Sequence, residues 1–374
     1  MFERGGGLLW RVRAVCGHFW LQAVAKRRFF TTFANMKITI DSAIPFIAGV
    51  FEPYAEVQYL AGERFDAESV RDSDALIVRT RTKCNAALLD NSQVRLIATA
   101  TIGYDHIDLD YCRAHGIEVA TAAGCNSRGV LQWVAAALRL LAERQGWTPS
   151  ERRLGIVGVG NIGRLVKEYG RRWGFDVVCC DPPRKRAEGG DFRSIDEVAS
   201  TCDIITFHVP LIREGEDCTV HLASERFFSQ IRPNTIILNA SRGEVVDNTL
   251  LRQAIAEGRC TACLDVWERE PSIARELLQM VEVATPHIAG YSAQGKANAT
   301  AMSVRAVARV FGLPLEEFYP AEVKRVAPQT IEWAEMCATI DRYCDLEAES
   351  RALREHPDHF EQLRNEYRYR EEYF

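Results

Sequence analysis

The chain lacks any uncharged apolar run near the roughly 18 residues that a membrane-spanning helix needs, so no spanning segment is expected. It lacks a charge excess of either sign. Against 46 Lys and Arg stand 51 Asp and Glu, a formal net charge of −5, which gives no general reason to expect nucleic-acid binding. It also lacks a second CxxC pair. Cys260 and Cys263 in CTACLDVW stand alone, whereas a zinc site of this type needs two such pairs. That stretch reads better as a buried strand, and no metal is expected. Internal repeats and low-complexity linkers are missing too. What remains is a chain of 374 residues, 47% hydrophobic and 26% charged, ordinary for a globular protein of two or three domains. Its twelve cysteines are scattered through apparent strands and helices. That suits buried free thiols in a reducing compartment, and a cytoplasmic location is expected.

The first 35 residues read as foreign to the rest, with six basic residues and one acidic residue. Arg11 and Arg13 interrupt any secretory apolar core. A basic, acid-poor leader also suits a mitochondrial transit peptide. The preferred reading is an upstream start, with MKITID from Met36 opening the first strand and residues 1–35 outside the fold.

From Met36 short, β-branched apolar runs alternate with helical patterns. KITI, DALIVR, VRLIATA and GIEVATA read as strands, followed by RLGIVGVG, DVVCCD, DIITFHV, TIILNAS and TACLDV. NSRGVLQWVAAALRLLAER, residues 126–144, reads as a long helix that is apolar on most sides, hence buried between two layers. NIGRLVKEYGRRWG, ERFFSQI, NTLLRQAIAEG and ANATAMSVRAVARVFG read as further helices. Such a βαβ series predicts an α/β fold, a doubly wound parallel sheet with helices on both faces. The last 60 or so residues are polar and aromatic-rich without strand alternation. They read either as a small dimerisation unit or as a tail folding over its own subunit.

The strand LGIVGVG runs into GVGNIG, so Gly158, Gly160 and Gly163 form G-x-G-x-x-G, with Asn161 and Ile162 opening the helix. The first glycine permits a tight turn, the second lets a pyrophosphate approach the backbone, and the third lets the helix pack on the strand. Free N–H groups and the helix dipole favour the phosphates. The next strand ends in an acid, Asp181, 18 residues past Gly163, near the spacing of a ribose-binding carboxylate. That carboxylate would repel a 2′-phosphate, so NAD is expected, although the following PPRKR is basic enough to tolerate NADP.

Three more segments follow strands of the same series. NASRGEVVD places Arg242 after one, LDVWEREP places Asp265 and Glu270 after the next, and TPHIAGY places His287 after EVAT. In an open parallel sheet that edge binds ligands. Moving a hydride between NAD and a 2-hydroxy acid also moves the hydroxyl proton, which a histidine can carry. A carboxylate partner favours the imidazolium, and Glu270 is the candidate. A guanidinium can grip a substrate carboxylate through two parallel bonds, and Arg242 is the candidate. Taken one at a time, each has a plainer reading: a surface ion pair, a solvated turn acid, a loop histidine.

GVGNIG, SRGEVVD, DVWEREP and PHIAG together resemble the D-isomer-specific 2-hydroxyacid dehydrogenases. TATIGYDHID, AAGCNSRGV, CDPPR, TFHVPL and TPHIAGYSAQGKA bring the chain nearest to a branch that acts on a small phosphorylated 2-hydroxy acid. The resemblance covers about residues 36–312. It implies a Rossmann-type NAD-binding domain, 129–285, inserted in a flavodoxin-like substrate domain, 36–128 and 286–311. A C-terminal dimerisation segment, 312–374, and a homodimer are also implied. The resemblance makes Arg242, Glu270 and His287 catalytic. It implies cofactor contacts at Asp181, Val209, the Ala240–Ser241–Arg242 backbone, Asp265 and Gly290, and substrate contacts at Thr80, Thr101 and Tyr291. Position 80 is threonine where the branch more often has serine, and position 209 is valine where threonine is common. Arg79, Arg81 and Lys83 in VRTRTK are cations suited to a substrate phosphate or to a solvated loop. Two rival readings stay open: a dehydrogenase for 3-phosphoglycerate, glycerate or hydroxypyruvate, and a non-catalytic NAD-sensing interaction protein.

Overall fold

A computed structural model describes residues 36–374, and the expectations for residues 1–35 lie outside the described residues. The chain forms two compact units. One comprises residues 36–100, His106–Ala120 and Ser303–Phe318; the other comprises Thr101–Asp105, Thr121–Met302 and Tyr319–Phe374. Among the described residues no helix is long and apolar enough to cross a membrane.

The first unit is built on strands β1 (Lys37–Asp41), β2 (Glu56–Leu60), β3 (Ala75–Val78), β4 (Leu96–Thr99) and β5 (Glu118–Thr121), ordered β2-β1-β3-β4-β5. β1 runs parallel to β2 and β3, and β3 runs parallel to β4. The central strands β3 and β4 are buried throughout, as strands covered on both faces must be. β2 is absent from the strands read off the sequence. It is an edge strand, EVQYL, nowhere fully buried, so it carries no continuous apolar signal.

The second unit holds six strands: β6 (Arg153–Val157), β7 (Asp176–Cys180), β8 (Ile204–Phe207), β9 (Thr235–Asn239), β10 (Cys260–Leu264) and β11 (Val283–Ala284). Their order is β11-β10-β9-β8-β6-β7, with every pair parallel. The chain leaves β6 for β7 on one side and then turns back to β8 on the other. That reversal opens a crevice at the carboxyl edge, between β6 and β8. CTACL forms β10, as its apolar pattern suggests, and burial pushes the Cys260 thiol up to about 12.

Helix α1 (Ser127–Gln145) is buried on nearly every side, as its composition predicts, and ends at Gly146 in the left-handed region (φ +70°). Helix α2 (Asn161–Trp173) packs Val166, Tyr169 and Trp173 into the same core. Helix α3 (Ala293–Phe311) places Val304 and Val307 in the core of the first unit. The terminal residues pack against their own subunit. Ile331, Met336, Ile340, Leu346 and Phe374 enter the core that α1 and α2 share. Tyr169 Oη donates to the Gln329 carbonyl at 2.5 Å, and Trp173 Nε1 donates to that of Ile331 at 3.0 Å. Helices α4 (Leu346–Glu355) and α5 (Phe360–Asn365) carry the chain to its last residues.

Candidate active site

β9, β10 and β11 are parallel neighbours, so whatever follows them emerges at one sheet edge. Arg242 follows β9, Asp265 and Glu270 follow β10, and His287 follows β11. His287 Nδ1 lies 2.7 Å from Glu270 Oε2, with the imidazole 27% and the carboxylate 18% exposed. Trp267 N–H donates to the other carboxylate oxygen at 2.9 Å. Burial pushes the Glu270 carboxyl up. The His287 charge, the His287 and Trp267 hydrogen bonds and the Arg364 charge outweigh it and leave the group below the usual range.

His287 sits at φ +58°, a left-handed conformation that costs a non-glycine residue energy unless its surroundings enforce it. Asp265 supplies the enforcement. Its carbonyl accepts His287 N–H at 2.7 Å, and its Oδ1 accepts Ile288 N–H at 2.7 Å and Thr285 Oγ1–H at 2.6 Å. Thr285 is itself held by two indoles: Trp133 Nε1 donates to its hydroxyl and Trp267 Nε1 to its carbonyl, each at 3.0 Å. Asp265 is 1% exposed, and its pKa is raised because burial outweighs its donors.

Arg242 Nη1 donates to the Ser241 carbonyl at 2.8 Å, and its Nη2 lies 3.6 Å from Asp105 Oδ2. A Cβ at Gly103 would overlap that Nη2, so the guanidinium lies against bare backbone. Gly243, next in the chain, packs so close to Trp267 and Glu268 that a Cβ would overlap their backbone. Asn248 and Glu268 exchange two hydrogen bonds, at 3.2 and 3.3 Å. The Arg242 loop and the Glu270 loop are thereby locked together.

The glycine loop fits a dinucleotide. Gly158 adopts φ +87°, and a Cβ there would run into the His208 carbonyl and Val209 Cγ1. A Cβ at Gly163 would overlap the Gly158 carbonyl. Gly160 instead faces open space and caps α2 without a side-chain partner, leaving the helix N–H groups for an anion. Asp181 ends β7; its Oδ2 accepts Val159 N–H at 2.8 Å and its Oδ1 accepts Arg184 N–H at 3.1 Å. Each oxygen keeps a lone pair for a ribose hydroxyl. Two of the three cations of PPRKR are engaged by acids: Arg184 pairs with Glu188 at 2.6 Å, and Arg186 with Asp217 at 2.6 Å. That leaves little free cation for a 2′-phosphate.

Thr101, Tyr291 and Gly290 belong to the same unit as these residues, with Ala240, Ser241 and Val209. Thr101 Oγ1 donates to the Gly103 carbonyl at 3.0 Å. Thr80, Arg79, Arg81 and Lys83 stand in the other unit, where Thr80, Arg81 and Lys83 are exposed. A Cβ at Gly290 would overlap Asn126 Nδ2, so the packing of Asn126 is enough to require glycine there.

Sequence reasoning missed the terminal residues that reach this loop. Arg370 is 7% exposed and donates through Nη2 to the carbonyls of Gly129 and Ala289. Glu372 accepts Ser292 Oγ–H at 2.6 Å. Arg364 Nε donates to Tyr291 Oη at 3.1 Å. These partners lie 73 to 241 residues apart in sequence, and no motif marks them.

Residues 131–289 match the family described as D-isomer specific 2-hydroxyacid dehydrogenase, NAD binding domain. The chain is similar to an erythronate-4-phosphate dehydrogenase of Bacteroides fragilis, 46% identical over 341 residues, covering 90% of this chain and 97% of that one. It is also similar to that of Azotobacter vinelandii, 44% identical over 76% of each chain. Among solved structures it resembles an NAD+-bound 3-phosphoglycerate dehydrogenase from Entamoeba histolytica. There the TM-score is 0.62 at 24% identity, with 75% of this chain and 98% of that one covered, a likeness of fold.

Proposed function

Because the chain belongs to the D-isomer-specific 2-hydroxyacid dehydrogenases, and among them to the erythronate-4-phosphate dehydrogenases, we propose that it oxidises 4-phospho-D-erythronate to 2-oxo-3-hydroxy-4-phosphobutanoate. This is a step toward pyridoxal phosphate, with NAD as cofactor. The observation that carries the reading is the 2.7 Å contact between His287 Nδ1 and Glu270 Oε2. An ionised carboxylate only accepts, so Nδ1 carries the hydrogen and Nε2 keeps its lone pair for the substrate.

NAD, when bound, would supply the acceptor for the hydride that leaves C2 of the substrate. His287 Nε2 takes the hydroxyl proton as the C2–O bond becomes a carbonyl, and Glu270 steadies the resulting imidazolium. Arg242 grips the substrate carboxylate and holds C2 in place. Gly158, Gly160, Asn161, Ile162 and Gly163 would hold the pyrophosphate, and Asp181 would receive the ribose hydroxyls. Val209, the Ala240–Ser241 backbone and Gly290 complete the cofactor contacts. Asp265 acts from beneath, fixing the backbone that presents His287. Thr101 and Tyr291, in the same unit as the His287 loop, would contact the substrate.

A homodimer and a cytoplasmic location belong to the same reading, supported by the family and by the buried free thiols. Light scattering distinguishes one 42.2 kDa chain from a pair. The catalytic reading is tested by steady-state kinetics with NAD and a panel of 2-hydroxy acids. Erythronate 4-phosphate should give the highest kcat/KM. A higher value on 3-phosphoglycerate would reassign the substrate, and His287→Ala with full turnover would remove the proposed proton carrier.

A further inference from the structure

Arg364 lies on α5, in a segment that the sequence motifs leave without a role. Its only hydrogen bond among the described residues runs from Nε to Tyr291 Oη, at 3.1 Å. No carboxylate of the described residues comes within ion-pair distance of its guanidinium. The side chain is half-buried, and neither terminal nitrogen is both enclosed and unsatisfied. The two Nη groups therefore open onto accessible space. Glu270 and Glu361 act on it only from beyond ion-pair distance, and a half-buried arginine with no anion in direct contact is unusual, because desolvating a charge is unfavourable unless something pairs with it.

Its surroundings belong to the proposed site. Tyr291, its anchor, stands four residues after His287. The Arg364 charge bears on Glu270, and the Glu270 charge bears on Arg364. A second cation is close by: Lys296 Nζ lies 3.5 Å from the centre of the Tyr291 ring. Tyr291 is thus bonded at its hydroxyl by one cation and covered on its ring by another.

We propose that Arg364 binds the phosphate of the substrate, with its Nη groups directed to the phosphate oxygens and its Nε fixed on Tyr291. This rests on the dehydrogenase reading above, which leaves Arg242 for the carboxylate. A planar guanidinium held at Nε presents its two terminal groups as a fork, the geometry that phosphate oxygens accept. The C-terminal segment then contributes to substrate choice, favouring phosphorylated over unphosphorylated hydroxy acids.

Two measurements on the full chain, loaded with NAD, test this. The first titrates inorganic phosphate by calorimetry into the wild type, Arg364→Gln and Arg364→Lys. The wild type should bind, Arg364→Gln should bind about 10- to 100-fold more weakly, and Arg364→Lys should recover part of the loss. The second compares kcat/KM for erythronate 4-phosphate with that for erythronate. Their ratio should fall about 10- to 100-fold in Arg364→Gln. Circular dichroism identifies a variant that has failed to fold, and Arg364→Lys then carries the test through a reduced ratio. Phosphate affinity indifferent to residue 364, or an equal loss on both substrates, overturns the assignment and leaves Arg364 as a pin for the tail. Intact, Arg364-dependent phosphate binding without turnover of erythronate 4-phosphate overturns the substrate reading and supports the phosphate site.

Discussion

The chemistry of Glu270 depends on its being an acceptor. A glutamine at 270 can turn an N–H toward His287 Nδ1 and stabilise the tautomer whose Nε2 carries the hydrogen, which cannot accept a proton. Glu270→Gln should therefore lower kcat by about 100- to 10,000-fold while changing KM little, as steady-state kinetics would report. A loss confined to KM would assign Glu270 to binding. Gly103 offers a second test, aimed at Arg242. It is not in the left-handed region, so alanine brings no backbone strain, but the added Cβ overlaps Arg242 Nη2. The far end of an arginine moves easily, so stability should hardly change, with Tm shifting by less than about 4 °C. The carboxylate grip should suffer, and kcat/KM should drop about tenfold or more. A large fall in Tm with unchanged kcat/KM would contradict this account of Gly103.

At the scale of elements, legibility in the sequence followed the range of the interactions involved. α1 was read as residues 126–144 and runs Ser127–Gln145, because its apolar residues are local and dense. β6 and the glycine loop were legible because their constraints lie within a few residues: a positive φ at Gly158 and a close approach at Gly163. The edge strand β2 escaped because half-exposed strands carry weak patterns. The terminal segment escaped because its contacts are long-range and its composition is polar. Arg370 reaches Gly129 across 241 residues. The buried final residue shows what that segment contributes. Phe374 is 0% exposed, with its ring 5.4 Å from Tyr169 and 6.3 Å from Trp173. Phe374→Ala should cost about 3–5 kcal/mol, the range for a fully buried phenylalanine. All five described tryptophans lie in the second unit, so the denaturation midpoint read by tryptophan fluorescence reports on it. An unchanged midpoint would mean that the terminus detaches without consequence.

At the scale of the molecule, stability should carry the mark of one histidine outside the proposed chemistry. His208 follows β8 beneath the glycine loop, 8% exposed. Its Nε2 lies 3.0 Å from Thr206 Oγ1, and its Nδ1 is buried without a partner. Burial lowers its pKa from 6.5 to about 3. The unfolded ring takes a proton near its ordinary value, whereas the folded ring resists. Between those two pH values the unfolded state binds more protons, so stability must fall as pH falls. The contribution is complete above about pH 6.5 and declines toward about pH 3. Asp265, Glu349 and Glu372 act in the opposite sense. Burial raises their pKa values, so acidification protonates the folded state first and favours it. A single wild-type curve mixes the two effects. The difference between wild type and His208→Gln separates them, because the acids are common to both and glutamine can still bond Thr206. Any stability advantage of the wild type at pH 8 should shrink, or reverse, by about 2–3 kcal/mol between pH 6.5 and 4.5, since a full proton difference is worth about 1.4 kcal/mol per pH unit. Urea denaturation at a series of pH values measures it. A gap that stays constant across that window would show that the folded ring titrates like the unfolded one.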